Sequence, residues 1–344
     1  MPVKPATASD VARLAGVSRT TVSFVLNNTP GKKISEATRQ RVLEAAAELD
    51  YRPHPEARRL ALIRHHSVGL FTCHTHSLFS DAYISRLIGG ISQVLNKQRF
   101  QLVLQPLRLD QSEYLQLAMQ DSVDGVILLN THDHDRGLAE IEAAGFPLVV
   151  IGTLSDRQIS QVDIDNRAAA ARVTQHLIDL GHRDIAMIVH APLVYYAAQE
   201  RLQGFQQTLE ANRVEPKETW IRRGDFTEES GQRCMRELLS LPERPTAVFA
   251  GNDMIAYGAL KAIKDAGLNV PHDISLAGFD DDFLSRYLNP PLTTLSVPAA
   301  ALGARAAQLL IRQLLNLKPA KPERVILTAR LAERDSCRTC GGRA

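Results

Sequence analysis

The feature that most constrains the fold lies after Ser67, where short, wholly apolar runs alternate with helical stretches. VGLFTC, QLVLQP, GVILLN and LVVIG are separated by helix-like segments near residues 82–98, 111–121 and 135–144. Strands without polar alternation are buried on both faces, and such burial needs helices on each side of a parallel sheet. A second series follows, DIAMIVH, AVFAG and SLAGFD, with helices near residues 167–180, 196–212, 228–240 and 254–266. A strand near Thr294 to Val297, a helix from Ala299 to Leu315 and a strand from Val325 to Leu331 are placed to complete both layers. The fold class expected for residues 67–344 is therefore α/β, a two-lobed core with parallel sheets, and 344 residues suffice for it beside a small third module. Ligands of open α/β sheets bind at the carboxyl ends of the strands, so two such lobes imply a cleft between them.

Residues 1–52 read as an all-α module of three short helices. Ser9 is placed to cap the first, with Val11, Ala12, Leu14 and Ala15 inward; Gly16 permits a tight turn; Ser18 caps the second, whose Val22, Val25 and Leu26 form one stripe. Asn28-Thr29-Pro30-Gly31 is a turn, and Ser35 opens a third helix with Val42, Leu43, Ala46 and Leu49 inside. Two short helices joined at a glycine form a helix-turn-helix, whose second helix enters the major groove of DNA. Arg19, Thr20, Ser23 and Phe24 lie off the apolar stripe. There an Arg19 fork fits guanine, and the Thr20 methyl or Phe24 ring fits a thymine methyl; the alternative for Phe24 is packing under the turn. Residues 53–66 read as a hinge or linker: Pro53 and Pro55 break the pattern, and Glu56 to Arg64 is basic but too short to be a stable helix without a packing partner.

Charge supports this division. Residues 1–66 hold 11 Lys and Arg against 6 Asp and Glu, leaving 29 against 32 for the remainder, so the net charge of +2 hides a basic module before a mildly acidic body. A polyanion partner is expected at one end only. MPVKPATASD lacks the apolar core of a secretory signal, and no apolar run is long enough for a bilayer, which makes the cytoplasm the expected compartment. Cys73, Cys234, Cys337 and Cys340 are too scattered for a disulfide framework, and the single CxxC in DSCRTCGGRA reads as a solvated tail, since a tetrahedral metal site needs two more ligands.

Five tracts, DVARLAGVSRTTVSFVLNN, LDYRPHPEARRLA, LIDLGHRDIAMI, AGNDMIAYGALKA, and AGFDD followed by PPLTTL, run in an order and at a spacing that resemble the LacI/GalR family of bacterial transcription regulators over nearly the whole chain. The resemblance implies a homodimeric regulator, of repressor type, that binds roughly palindromic double-stranded operator DNA under the control of a small-molecule effector, with no cofactor. It places Arg19, Thr20 and Phe24 at base-reading positions and Thr7, Ser18, Thr21, Asn27, Ser35 and Tyr51 at phosphate-contacting ones. Arg58, Arg59 and Leu60 fall in a segment that becomes a minor-groove hinge helix on DNA, with Leu60 at the position that wedges between base pairs; a linker leucine covering the core is the plainer reading. Where the family pattern often has an Asn after Tyr-x-Pro, this sequence has His54.

For the effector cleft the resemblance implies Tyr83, Tyr195, Ala197, Arg201, Phe226, Asn252 and Asp280. These residue types suit a polyhydroxylated ligand: Arg201 and Asp280 offer a donor fork and an acceptor, Asn252 offers both, and Phe226 gives an apolar face. Alone, Asp280 would read as a loop cap or the partner of a neighbouring Arg. In the purine-responsive branch of the family the positions of Tyr195 and Ala197 carry Arg and Thr, so a sugar or sugar derivative is expected, with a nucleoside or nucleobase as the alternative. His74, His76, His132 and His134 lie outside the family pattern, at strand ends; solvated loop residues is the plainer reading, a transition-metal or anion site the sharper one. The transport-protein reading conflicts with the basic N-terminal module. An enzyme reading finds no GxGxxG, GxxxxGK[ST] or GxSxG segment anywhere in the chain.

Overall fold

The computed structural model describes residues 8–26, 34–49, 65–73, 81–107, 113–132, 135–155, 157–315 and 321–341. They fall into two compact units, N-terminal helices and an α/β body, with a boundary near residue 64.

The N-terminal unit contains α1 (Ala8–Ala15), α2 (Arg19–Leu26) and α3 (Glu36–Glu48). Its core is small: Val11, Ala12, Ala15, Val22, Val25, Val42, Ala45 and Ala46. Gly16 adopts φ 64°, a conformation that ends α1 at little cost only for glycine, and Val17 N–H closes the turn on the Ala12 carbonyl at 3.0 Å. Ser18 and Ser35 cap α2 and α3 as expected, their hydroxyls accepting from Thr21 N–H at 3.0 Å and Thr38 N–H at 3.2 Å. Three expectations fail. Ser9 lies inside α1 and not at its cap. Leu14 and Leu43, expected inside, are 47% and 44% exposed. At about 100° per residue each sits roughly 105° from the centre of its helix's buried stripe, beyond the reach of so narrow a core.

The body holds two six-stranded sheets. In the first, β1 (Ser67–Cys73) lies between β2 (Gln101–Leu107) and β3 (Gly125–Leu129), and the sheet continues through β4 (Leu148–Ile151), β5 (Ser160–Ile164) and β11 (Arg324–Leu327), all parallel. In the second, β6 (Ile185–Val189) lies between β7 (Ile221–Arg223) and β8 (Ala247–Ala250), followed by β9 (Ser275–Asp280), β10 (Thr293–Ser296) and an antiparallel β12 (Arg330–Ala332). Helices α4 (Ala82–Lys97), α5 (Tyr114–Gln120), α6 (Arg136–Ala143) and α11 (Ala299–Leu315) alternate with strands of the first sheet; α7 (Asn166–Asp179), α8 (Tyr196–Ala211), α9 (Glu228–Leu239) and α10 (Asp253–Asp265) alternate with those of the second. The chain passes between lobes three times, after β5, after β10 and between β11 and β12. Helices α4 and α11 pack at glycine: a Cβ on Gly303 would lie 2.2 Å from the Leu87 carbonyl oxygen.

The sequence reading placed most of these elements but not all. The single late strand expected at Val325 to Leu331 is two, one in each sheet. Neither β5 nor β7 was expected. In β5, Ser160, Gln161 and Asp163 are buried polar residues, which breaks the apolar run; β7 has only three residues, two of them arginines. The solvated tail is also corrected. Ser336 is buried, its hydroxyl donating to the Leu276 carbonyl at 2.6 Å and accepting from Thr293 N–H at 2.7 Å, and Cys340 N–H reaches the Leu180 carbonyl at 2.7 Å. Cys337 and Cys340 are free thiols, and burial pushes the Cys337 thiol up to about 12.

Candidate functional site

A cavity of about 80 Å³ opens at the carboxyl ends of both sheets, with room for several ligand atoms where one water needs about 10–15 Å³. From the first sheet come Asn130 beyond β3, Gly152 beyond β4, Asp163 in β5, and Asp81 and Tyr83 at the start of α4. From the second come His190 beyond β6, Phe226 beyond β7, Asn252 beyond β8 and Asp280 at the end of β9, with Asn166 from α7 and Ala197 and Arg201 from α8. Asn130, Phe226 and Asp280 have φ of 59°, 75° and 120°. Non-glycine residues rarely adopt these values, and such strain collects where side chains must be aimed at a ligand.

Arg201 is 9% exposed and fixed on three sides. Its Nε donates to Asn166 Oδ1 at 2.9 Å, its Nη1 to the Gly251 carbonyl at 2.6 Å, and its guanidinium carbon lies 3.6 Å from the Phe279 ring centre. Burial lowers its pKa while Asp280 opposes the shift, and a guanidinium stays charged regardless. Asp280 is 8% exposed; no described residue donates to its carboxylate, and burial, opposed by Arg201, raises its pKa well above the usual range. Its backbone carbonyl instead accepts from Arg86 Nη2 at 2.7 Å, while Arg86 Nη1 reaches the Asp281 carbonyl at 3.0 Å, a bridge from α4 of one lobe to β9 of the other. Asp163 is saturated by Thr153, Asn166 and the Ile164 N–H. Burial and then Arg201 hold His190 well below its ordinary value, so its ring is neutral, and its buried Nδ1 has no hydrogen-bond partner among the described residues. Burial, then Asp163 and Asp280, raises the Tyr83 phenol, which stays protonated.

Residues 7–54 match the family model for bacterial regulatory proteins, lacI family, and residues 174–337 match that for the periplasmic binding protein-like domain. The chain is 36% identical over 332 residues to the HTH-type transcriptional regulator CelR of Thermobifida fusca, an overlap of 95% of this chain and 96% of that protein. It is also 36% identical over 337 residues to the HTH-type transcriptional repressor PurR of Escherichia coli O139:H28 (strain E24377A / ETEC), 96% of each. A solved CelR–cellobiose complex has a TM-score of 0.73 at 36% identity, covering 96% of this chain and 99% of that one. The lac repressor dimer bound to operator and the anti-inducer ONPF has a TM-score of 0.69 at 30% identity, covering 97% and 99%. This chain belongs to the LacI family. As a LacI-family transcription regulator it binds operator DNA, and a small-molecule effector controls that binding.

In this LacI-family body the cavity gathers six of the seven residues singled out in the sequence, Tyr83, Ala197, Arg201, Phe226, Asn252 and Asp280. Tyr195 is the exception. It is buried behind Phe226, the ring centres 5.6 Å apart, and its other edge meets His132 at 6.5 Å. It therefore braces the Phe226 ring instead of facing the cavity. Asn252 is less available than expected, because its Oδ1 caps α10 through Ile255 N–H at 2.8 Å and its Nδ2 reaches the Phe226 carbonyl at 3.3 Å. Sequence reasoning missed Asp81, Asn130, Asp163, Asn166 and His190; all but Asp81 lie at or just past the carboxyl end of a strand, which was the signal available.

In the N-terminal helices Ser18, Thr20 and Ser35 are exposed, Thr21 and Phe24 half-buried. Phe24 was expected to be exposed, yet it is not among the described side chains packed on the three-helix core. Arg19 and Ser23 are helical residues whose side chains lie outside the description, as do Thr7, Asn27, Tyr51, Arg58, Leu60, His74, His76 and His134 altogether. Among the described residues no group of three or more His, Cys, Asp and Glu is arranged to hold a metal, and no helix is long and apolar enough to cross a membrane.

Proposed function

We propose that the effector is a sugar or sugar derivative bound in the cavity between the two sheets, and that its binding changes how a homodimer of this chain holds a roughly palindromic operator. One observation carries the reading: the Arg201 guanidinium and the Asp280 carboxylate, a donor fork and an acceptor without a protein donor, share one small cavity at the strand ends. Adjacent hydroxyls complement such a pair, and the half-buried Phe226 ring offers an apolar face for C–H groups. The CelR relative solved with cellobiose supports the sugar class. The lining contains no Ser, Cys or Lys, which fits binding without turnover and a chain that is not an enzyme. In this reading residues 1–52 read DNA, 53–66 form the hinge and 67–344 bind effector and partner subunit, in the cytoplasm. Arg19, Thr20, Ser23 and Phe24 meet base edges; Thr7, Ser18, Thr21, Asn27, Ser35 and Tyr51 meet phosphates; Arg58 and Leu60 enter the minor groove.

Two measurements test this. Selection from a random duplex library is expected to enrich a two-fold-symmetric site one or more helical turns across; enrichment of asymmetric sites only would refute the dimeric operator. A thermal-shift panel of sugars, nucleobases and nucleosides is expected to show stabilisation by sugars. Stabilisation by nucleobases alone would overturn the effector class.

A further inference from the structure

The charges around the cavity narrow the effector class further, on the reading that this cavity is the effector site. Asp81, Asp163 and Asp280 line it, and Arg201 is the single Lys or Arg that does so. Arg201 has already given one N–H to Asn166, another to the Gly251 carbonyl and one face to Phe279. Arg86, the next guanidinium, is outside the lining, with both Nη atoms on backbone carbonyls. His190 supplies no second cation, since its buried ring stays neutral beside Arg201.

Two buried polar groups of the lining lack protein partners: the Asp280 carboxylate, 8% exposed, and His190 Nδ1, in a residue 6% exposed. A buried acceptor without a donor is costly, so both favour an occupant that brings O–H groups. A phosphate or carboxylate brings charge of the wrong sign. It would face Asp280 and Asp163 with only the remaining N–H groups of Arg201 to offset them, in a space that excludes most screening water. We propose that the effector is an uncharged polyol that donates a hydroxyl to Asp280, and that the cavity rejects sugar phosphates, uronates and aldonates.

The test is calorimetric titration of the full chain with matched pairs: cellobiose and cellobionate, glucose and glucose 6-phosphate, galactose and galacturonate. Every binder is expected to be the neutral member, its charged partner weaker by about tenfold or more. Asp280→Asn is isosteric and tolerates positive φ, so it should fold, weaken the neutral binder and shrink the gap to its charged partner. A charged member that binds as tightly as its neutral partner, with affinity that responds to Asp280→Asn, would overturn the charge rule and leave the site in place. Binding that ignores Asp280→Asn, or no binding by any of these sugars, would overturn the site itself.

Discussion

Arg86→Ala is the most informative single perturbation of the body. Its two hydrogen bonds, at 2.7 and 3.0 Å to the carbonyls of Asp280 and Asp281, tie residues nearly 200 positions apart and join the two lobes beside the cavity. A hydrogen bond to a charged group is worth about 1.5–3 kcal/mol net when buried, and less here because the pair is part-exposed and water replaces some of the loss. About 2 kcal/mol for both is a reasonable sum, roughly 30-fold in the ratio of joined to separated lobes. A ligand held by Asp163 on one sheet and by Arg201 and Asp280 on the other binds tightly only when the lobes are joined, so its apparent affinity falls with that fraction. The expected result is a loss of effector affinity of up to about 30-fold, with a larger radius of gyration by X-ray scattering in the absence of ligand. Arg86→Lys should recover part of it, since one ammonium can still reach one carbonyl. Melting temperature should change little, because neither lobe's core is touched. Affinity within twofold of wild type, with unchanged scattering, would refute the idea that this bridge sets the lobe arrangement.

Arg201→Ala should abolish the effector response while operator DNA is still bound; a retained response would remove Arg201 from the site. Gly303→Ala places a methyl 2.2 Å from the Leu87 carbonyl oxygen, a clash with backbone. Overpacking of about 1–3 kcal/mol should outweigh the gain of at most about 1 kcal/mol in helix propensity, so thermal unfolding should occur several degrees lower; an unchanged midpoint would show that the helices part easily. Asp253 is 2% exposed, accepts from Asp282 N–H, Ser285 and Thr294, and is nevertheless raised to about 6 by burial. Its folded form binds a proton more readily than the unfolded one, so between about pH 4 and 6 its contribution to stability falls as pH rises, by about 3 kcal/mol in total. Denaturant titrations of wild type and Asp253→Asn should show the stability difference moving toward wild type on acidification from pH 7 to 4; a constant difference would contradict it. Phe24→Ala should weaken operator binding at least tenfold in a gel shift with the headpiece helices retained by circular dichroism, and lost helicity would return the ring to the core.

Most of the body was legible because its strands are buried on both faces and carry unbroken apolar runs, as in Ile185–Val189 and Ala247–Ala250. Where burial was reached by polar satisfaction, the signal vanished. Ser160 and Gln161 of β5 are buried because Gln313, Leu154 N–H and Glu323 N–H meet their side chains, a set of partners that no local window contains. Losing β5 also lost Asp163 from the candidate site, since a carboxylate at a strand end is suggestive only once the strand is seen. Tyr195 failed differently. Its position in the sequence was right and its depth was not, because whether an aromatic ring faces a cavity or backs another ring is set by packing among His132, Phe226 and His190. The C-terminal segment was misread because its attachment runs through backbone groups and the hydroxyls of Ser275 and Ser336, which polar composition conceals.

Asp280 explains why occupancy of the cavity and arrangement of the lobes are one equilibrium. At φ 120° the strand β9 breaks its extended course at its last residue, and Asp281 follows at φ 53°. The break costs on the order of 1–3 kcal/mol for non-glycine residues. It is offset locally by the Arg86 bridge to both carbonyls and by the ion pair of Arg334 with the Asp281 carboxylate at 2.6 Å. The same turn leaves the Asp280 side chain in the cavity without a protein donor, while its carbonyl is held by the opposite lobe. A ligand hydroxyl on the carboxylate and a guanidinium on the carbonyl therefore stabilise one backbone conformation from two directions. Ligand and lobe contact then raise each other's apparent affinity by the same factor, as reciprocity requires, without any direct contact between Arg86 and the ligand. An effector that left the Asp280 carboxylate unmet would fill the same space and yet have less differential affinity for the joined lobes, and so less power to shift them.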